Sequence, residues 1–260
     1  MRDQMVFQRH EIKYMLTKAQ KAIIQKAMAE YVISDPHGRS TIQSLYFDTP
    51  DFLLIRRSME HPLYKEKLRL RSYGVANANT TVFVELKKKY NSVVYKRRIA
   101  MTEAEASRYL LGHIPSEDSQ IRREIDYCIA HYPSLAPRVL LSYEREAYYG
   151  KDNPNFRITF DETILWRNTD VNLTSGIYGT PILPEENTLM EIKTSGAIPL
   201  WMVRLLSENH IYKTSFSKYA SAYTCICGGR QADLAKSPVP VTAEPETTLQ
   251  YENGGNYHYA

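Results

Sequence analysis

Residues 67–74 read KLRLRSYG, and this short run decides the fold. Side chains of an extended chain alternate between two faces, so Lys67, Arg69 and Arg71 stand together on one side while Leu68 and Leu70 stand on the other. The pattern recurs along the chain. TVFVELKKK (81–89) puts Glu85, Lys87 and Lys89 on one face against Val82, Val84 and Leu86, and SVVYKRRIAM (92–101) sets Lys96 and Arg98 against Tyr95 and Ile99. RVLLSYEREAYYG (138–150) puts Tyr143 and Arg145 together, although Val139, Leu141 and Ala147 share their face. FRITFDETI (156–164) aligns Arg157, Thr159 and Asp161, and LMEIKTSG (189–196) aligns Glu191 and Lys193. FQRHEIKYML (7–16) aligns Arg9, Glu11 and Lys13, and IQSLYFDT (42–49) sets Tyr46 and Asp48 opposite Leu45 and Phe47.

One such strand reads as the wet side of an ordinary antiparallel sheet. The set does not, because the polar face is almost wholly ionic and returns on about eight strands. With Lys218 it collects thirteen basic and five acidic residues, about +8, on a chain whose formal net charge is +4. Like charges aligned along and across strands repel, and desolvating them unpaired is costly. The arrangement predicts an α+β fold in which an eight-stranded antiparallel barrel turns its ionic face into a wet lumen and its apolar faces outward under helices. Such a lumen suits a polyanion. Phosphate chains fit it better than nucleic acid, since aromatics are not interleaved with the cations and no recognition motif is present. Arg offers bidentate donation to phosphate and Lys a point charge, while the carboxylates suit Mg²⁺ or Mn²⁺ shared with phosphate oxygens.

The rest of the chain narrows the class. Of 260 residues, 24% are charged and 43% hydrophobic, no apolar run approaches the length of a membrane span, and the opening residues carry no apolar signal, so a cytoplasmic location is expected. Cys128, Cys225 and Cys227 are an odd set without zinc spacing, which argues against a disulfide framework and a zinc site. Neither a Walker loop nor GxGxxG occurs. Helices are expected from the Thr17/Gln20 capping box to about Tyr31, from the Thr102/Glu105 box to Gly112, over 117–131 with Ile121, Ile125 and Cys128 on one stripe before Pro133, from Pro199 to about Asn209, and from Ser217 to about Tyr223. The organisation predicted is one domain over 1–227, then a Pro-, Gly- and Asn-rich tail over 228–260 that lacks hydrophobic periodicity and reads as disordered.

Taken in order, RHEIKY (9–14), SLYFDT (44–49), KLRLRSYG (67–74), FVELKKK (83–89), SYER (142–145), FRITFD (156–161), LMEIK (189–193) and FSKY (216–219) resemble the polyphosphate polymerase (VTC) domain family of the triphosphate tunnel metalloenzyme superfamily, over about residues 5–224. The resemblance implies a tunnel in which the terminal phosphate of ATP is added to inorganic polyphosphate with Mn²⁺ or Mg²⁺. It implies Arg69, Arg71, Lys87, Arg145 and Lys218 as the catalytic cations, and Lys13, Lys67, Lys89, Lys96, Arg98, Arg157, Lys193, Ser217 and Tyr46 as further phosphate contacts. Glu191 is implied as the metal ligand, with Glu85 and Glu11 as additional candidates, and any membrane partner would be a separate protein. The chain departs from the hydrolase branches, which open on Glu-x-Glu-x-Lys, by having Arg9 before Glu11 and Lys13. It also has Ser215 where a basic residue often precedes FSKY, with Lys213 the nearest cation. A triphosphate hydrolase and a non-catalytic polyphosphate or inositol phosphate binder are the alternatives.

Overall fold

The computed structural model of the protein describes residues 10–91, 93–112, 119–132 and 134–228; Arg9, Pro133, the first two residues of the helix expected from 117 and the tail from 229 lie outside them. The strands are β1 (His10–Thr17), β2 (Val32–Asp48), β3 (Tyr64–Tyr73), β4 (Thr81–Tyr90), β5 (Val93–Thr102), β6 (Ala136–Gly150), β7 (Arg157–Arg167), β8 (Thr180–Pro181), β9 (Asn187–Thr194) and β10 (Lys213–Thr214). The helices are α1 (Lys18–Met28), α2 (Leu53–Met59), α3 (Glu103–Gly112), α4 (Gln120–His131), α5 (Leu200–Glu208) and α6 (Lys218–Ile226).

All the strands join one antiparallel sheet in the order β10-β1-β9-β7-β6-β2-β3-β4-β5, with β8 paired to β7. This corrects the expected eight-stranded barrel. Eight strands are long, but β8 and β10 add two residues each, and no ladder among the described residues joins the β5 end of the sheet to its β10 end. A side-chain bridge spans the gap instead, from Lys87 of β4 to Glu11 of β1 at 3.7 Å. The short β10 pairs with Lys13 and Tyr14 on the free edge of β1 and so takes up part of the edge that closure would use.

The outward faces build two cores. Leu68, Leu70, Val82, Val84 and Leu86 pack under α3 and α4 against Tyr109, Leu110, Ile125 and Cys128. Tyr14, Leu16, Ile158, Phe160, Met190 and Ile192 pack under α1 and α5 against Ile24, Met28, Met202 and Leu206. Each fully buried Leu or Ile contributes roughly 1.5–3 kcal/mol, so these layers hold the sheet curved around its polar side. A third core lies on the inward face. Val139, Leu141, Tyr143, Ile42, Tyr46 and Leu189 enclose Tyr219 and Ala222 of α6, which fills part of the space inside the curved sheet. The mixed apolar and ionic face of 138–150 has its explanation there, since its first half meets α6 and its second half meets open space.

Both expected capping boxes form: Thr17 accepts from the Gln20 amide while the Gln20 side chain accepts from that of Thr17, and Thr102 and Glu105 exchange the same pair of bonds. α2 was not legible from sequence. Its N-cap, Phe52, has left-handed backbone (φ 59°) and no side-chain cap bond. Its free amides are met from upstream: Thr49 accepts from Leu53, and Asp48 accepts from Leu54 at 2.9 Å and Ile55 at 3.0 Å. Asp48 keeps the inward face of Tyr46, since the residue skipped at the Tyr46/Phe47 register shift is Arg138 of β6, but it is no lumen charge: α6 covers it, and it accepts from the Tyr219 hydroxyl at 2.9 Å.

Candidate functional site

The inward faces border a cavity of about 2570 Å³, lined by fifteen Lys and Arg residues and four carboxylates, of which Arg97 and Glu66 reach it from the outward faces of β5 and β3. Nearly half of the chain's 33 basic residues thus face one space. Every basic residue named from the sequence as a site residue lines it, as do Tyr46, Ser217, Glu11 and Glu191. Glu85 does not; it lies 1% exposed beneath the cations.

The geometry on β3, β4 and β5 follows from register. Lys65 pairs with Lys89, Lys67 with Lys87, Arg69 with Glu85 and Arg71 with Phe83, and the row continues onto β5 with Lys87 opposite Lys96 and Glu85 opposite Arg98. Cross-strand neighbours share a face, so the wall runs in rungs from lysine to an Arg–Glu–Arg centre. Glu85 organises that centre, accepting from Arg69 Nε at 2.8 Å and Arg98 Nε at 2.7 Å and lying 2.7 Å from Lys96 Nζ. Burial pushes the Glu85 carboxyl up, but Arg69, Arg71, Lys96 and Arg98 together hold it well below the usual carboxylate range. Arg69 also donates to the Tyr46 hydroxyl at 3.0 Å. Against the effect of its own burial, Tyr46 is brought down to about 8 by Arg69, Lys67 and Arg71.

The lysine rungs have no such hub: Lys87 reaches Glu11 at 3.7 Å and Lys96 reaches Glu85 at 2.7 Å, both from outside the rungs. Lys67 has no carboxylate partner among the described residues, and its Nζ lies 6.0 Å from the Tyr219 ring centroid. Burial brings it down to about 8; Tyr46 opposes the fall, and Lys87, Lys65 and Lys13 add to it.

A second cluster stands on the far wall. Asp161 of β7 accepts two 2.6 Å bonds from Arg145 of β6 and one of 2.5 Å from Lys218 of α6. Glu191 of β9 meets Lys193 at 2.8 Å, Lys218 at 3.4 Å, Lys13 at 3.5 Å and Arg145 at 3.7 Å. Lys13 Nζ stands between Glu191 and Glu11, 3.4 Å from the latter. Burial pushes Glu11 up, but Lys87, Lys193 and Lys13 outweigh it and the neighbouring Glu191, so Glu11 is ionised down to about 2. Ser217 caps α6 by accepting from the Ala220 amide at 3.3 Å, which aims Lys218 into the cavity. Arg157 pairs with Asp35 at 3.2 Å.

No group of three or more metal-ligating side chains occurs among the described residues. The donors do fit a hard divalent cation completed by substrate oxygens, which needs only one or two protein carboxylates. Glu191 and Glu11 are both ionised, and the Thr159 hydroxyl, cross-strand from Glu191, is buried without a partner. Asp35, Lys65, Tyr73, Phe83 and Tyr143 also line the cavity although they were not singled out as site residues. Tyr73 and Phe83 lie two residues beyond Arg71 and Glu85, so continuing the alternation would have found them.

No curated protein matches the chain. Among solved structures it is similar to a putative adenylate cyclase from Bacillus halodurans (16% identity, TM-score 0.49, 81% of this chain and 96% of that one). It is also similar to a putative adenylate cyclase from Vibrio parahaemolyticus (11%, 0.48, 84% and 99%) and to a putative adenylyl cyclase from Hippeastrum described as having a dominant triphosphatase activity (16%, 0.48, 83% and 95%). The model of the VTC domain matches residues 8–227, most of the chain, and the protein belongs to that family.

Proposed function

We propose that the protein is a phosphotransferase that moves the terminal phosphate of ATP onto inorganic polyphosphate. The observation that carries this reading is the length of the cationic wall. From Lys65 to Arg71 the inward residues of β3 span about 20 Å of strand at ~3.3 Å per residue, longer than a triphosphate occupies, and the lysine end carries no acid on its inward rungs. A donor triphosphate and several units of an acceptor chain fit end to end.

In this reading Arg69, Arg71 and Arg145 hold the donor phosphates and Lys67, Lys87 and Lys89 hold the acceptor. The ionised terminal oxygen of the acceptor attacks the γ-phosphorus, the new P–O bond forms as the β–γ bridge breaks, and ADP leaves with the bonding pair. No general base is required, because the attacking oxygen carries no proton that must be removed. Fixed cations answer the charge spread over the transferred group. A Mn²⁺ or Mg²⁺ ion held by Glu191, with Glu11 beside it, would supply further charge neutralisation on the phosphate oxygens. Glu85 and Asp161 act by keeping the cations in place.

The test is incubation of the purified protein with ATP and Mn²⁺, followed by separation of acid-stable polymer from free phosphate, beside Glu191→Ala and Arg69→Ala. Chain growth that falls at least 100-fold in both variants is expected. Free phosphate without polymer would make the protein a hydrolase, and binding without turnover a polyphosphate-binding module.

A further inference from the structure

The wall of β3–β5 changes chemistry along its length. The rungs pass from Lys65/Lys89 and Lys67/Lys87/Lys96, through Arg69/Glu85/Arg98, to Arg71/Phe83, and β3 then ends its inward face on Tyr73. Tyr73 and Phe83 meet edge to face, with centroids 5.9 Å apart and planes at 85°. The Arg98 guanidinium lies 4.3 Å from the Phe83 centroid, and the Tyr73 side chain is among the groups that raise its pKa against the effect of burial. Both rings line the cavity, yet Tyr73 is 48% exposed. The apolar faces of these rings, at the arginine end of the cationic wall, gain nothing from phosphate. The exposed Tyr73 ring offers aromatic surface on which any nucleobase can stack, at one end of a wall that holds anions.

We propose that Tyr73 and Phe83, steadied by Arg98, form a seat for the base of the nucleoside triphosphate donor, which fixes the direction in which the tunnel is used. The inference rests on the reading of the tunnel as a site for ATP. Tyr73 lies two residues, about 7 Å, beyond Arg71 on the same face, so a base stacked there sends its phosphates inward along Arg71 and Arg69. The acceptor chain then occupies the lysine end. The contact is by stacking and cation–π attraction rather than by hydrogen bonds to base edges, so the seat discriminates weakly among bases.

The test compares binding of ATP and of inorganic tripolyphosphate to the full chain by titration calorimetry. Tyr73→Ala is expected to weaken ATP by about tenfold, leave tripolyphosphate unchanged, and weaken GTP together with ATP; Tyr73→Trp retains ATP affinity. Phe83→Leu, which keeps an apolar side chain in the strand, is expected to repeat the selective loss. Equal weakening of ATP and tripolyphosphate, or no change in either, overturns the base seat. These readouts stand apart from turnover: if the protein binds ATP in this way but makes no polymer, the polymerase reading fails and the seat stands.

Discussion

Arg145 donates two hydrogen bonds, each of 2.6 Å, to Asp161, whose carboxylate is fully buried. Lys218 donates a third from α6, so one acid fixes two cavity cations that come from different elements. Replacing it by Asn leaves those cations confined together with Glu191, 3.4 and 3.7 Å away, as their remaining counter-charge. We expect Asp161→Asn to cost about 3–5 kcal/mol in urea unfolding, and tripolyphosphate to raise the variant's midpoint more than the wild type's by restoring the missing negative charge. An unchanged midpoint would show that the pair contributes nothing.

Acid should unfold the protein in a defined window. Cavity cations hold Glu11, Glu85, Asp161 and Glu191 below their ordinary values, and Thr188, Lys21 and Lys18 help bring Glu162 down to about 2 despite its burial. A folded-state value below the unfolded one gives stability that is present above the unfolded pKa, about 4, and is lost as pH falls toward the folded value. Stability is expected to hold from pH 7 to about 5 and then drop steeply toward pH 2, as followed by circular dichroism. A gradual decline beginning near neutrality would contradict this.

Lys67 and Lys96 behave in the opposite sense. Burial lowers each to about 8; for Lys96, Glu85 opposes the fall while Arg98 and Arg69 add to it. The folded values lie below the unfolded one of about 10.4, so the penalty for holding these charges is full below pH ~8 and disappears as pH rises toward 10. Polyphosphate stabilises the charged forms. Binding near pH 8 should therefore take up protons, seen as a calorimetric heat that depends on the buffer's ionisation enthalpy, and Lys67→Met should abolish part of that uptake while weakening polyphosphate and stabilising the free protein.

The buried Asp48 ties three elements together: it ends β2, caps α2 and accepts from Tyr219 of α6. Asp48→Ala should cost about 3 kcal/mol in chemical unfolding, since two helix amides and a buried phenol lose their acceptor. Tyr219→Phe, which removes one bond and keeps the ring stacked on Tyr46 at 4.3 Å, should cost about 1 kcal/mol.

Much of the site was legible because strand alternation is local. Lys67, Arg69 and Arg71 face one way whatever surrounds them, and the eight long strands follow from the same period. Neither the burial of Asp48 nor α2 was legible. Alternation gives the face of Asp48 but not that α6 will cover it; the cap of α2 lies four to seven residues upstream of the amides it serves. Ser217 carried a signal for a helix cap, but the destination of Lys218 depended on where β7 and β9 placed Asp161 and Glu191.

By itself the sequence determined which side chains share a face and that these faces hold far more positive charge than the chain as a whole, because covalent geometry sets the period of a strand. Tertiary structure decided the rest. Pairing order alone made Glu85 the hub of Arg69, Lys96 and Arg98 and left Lys67 without an acid among the described residues. It also left the sheet open beside a side-chain bridge from Lys87 to Glu11. Interactions between charges depend on distance and burial, and both are set by which strands become neighbours.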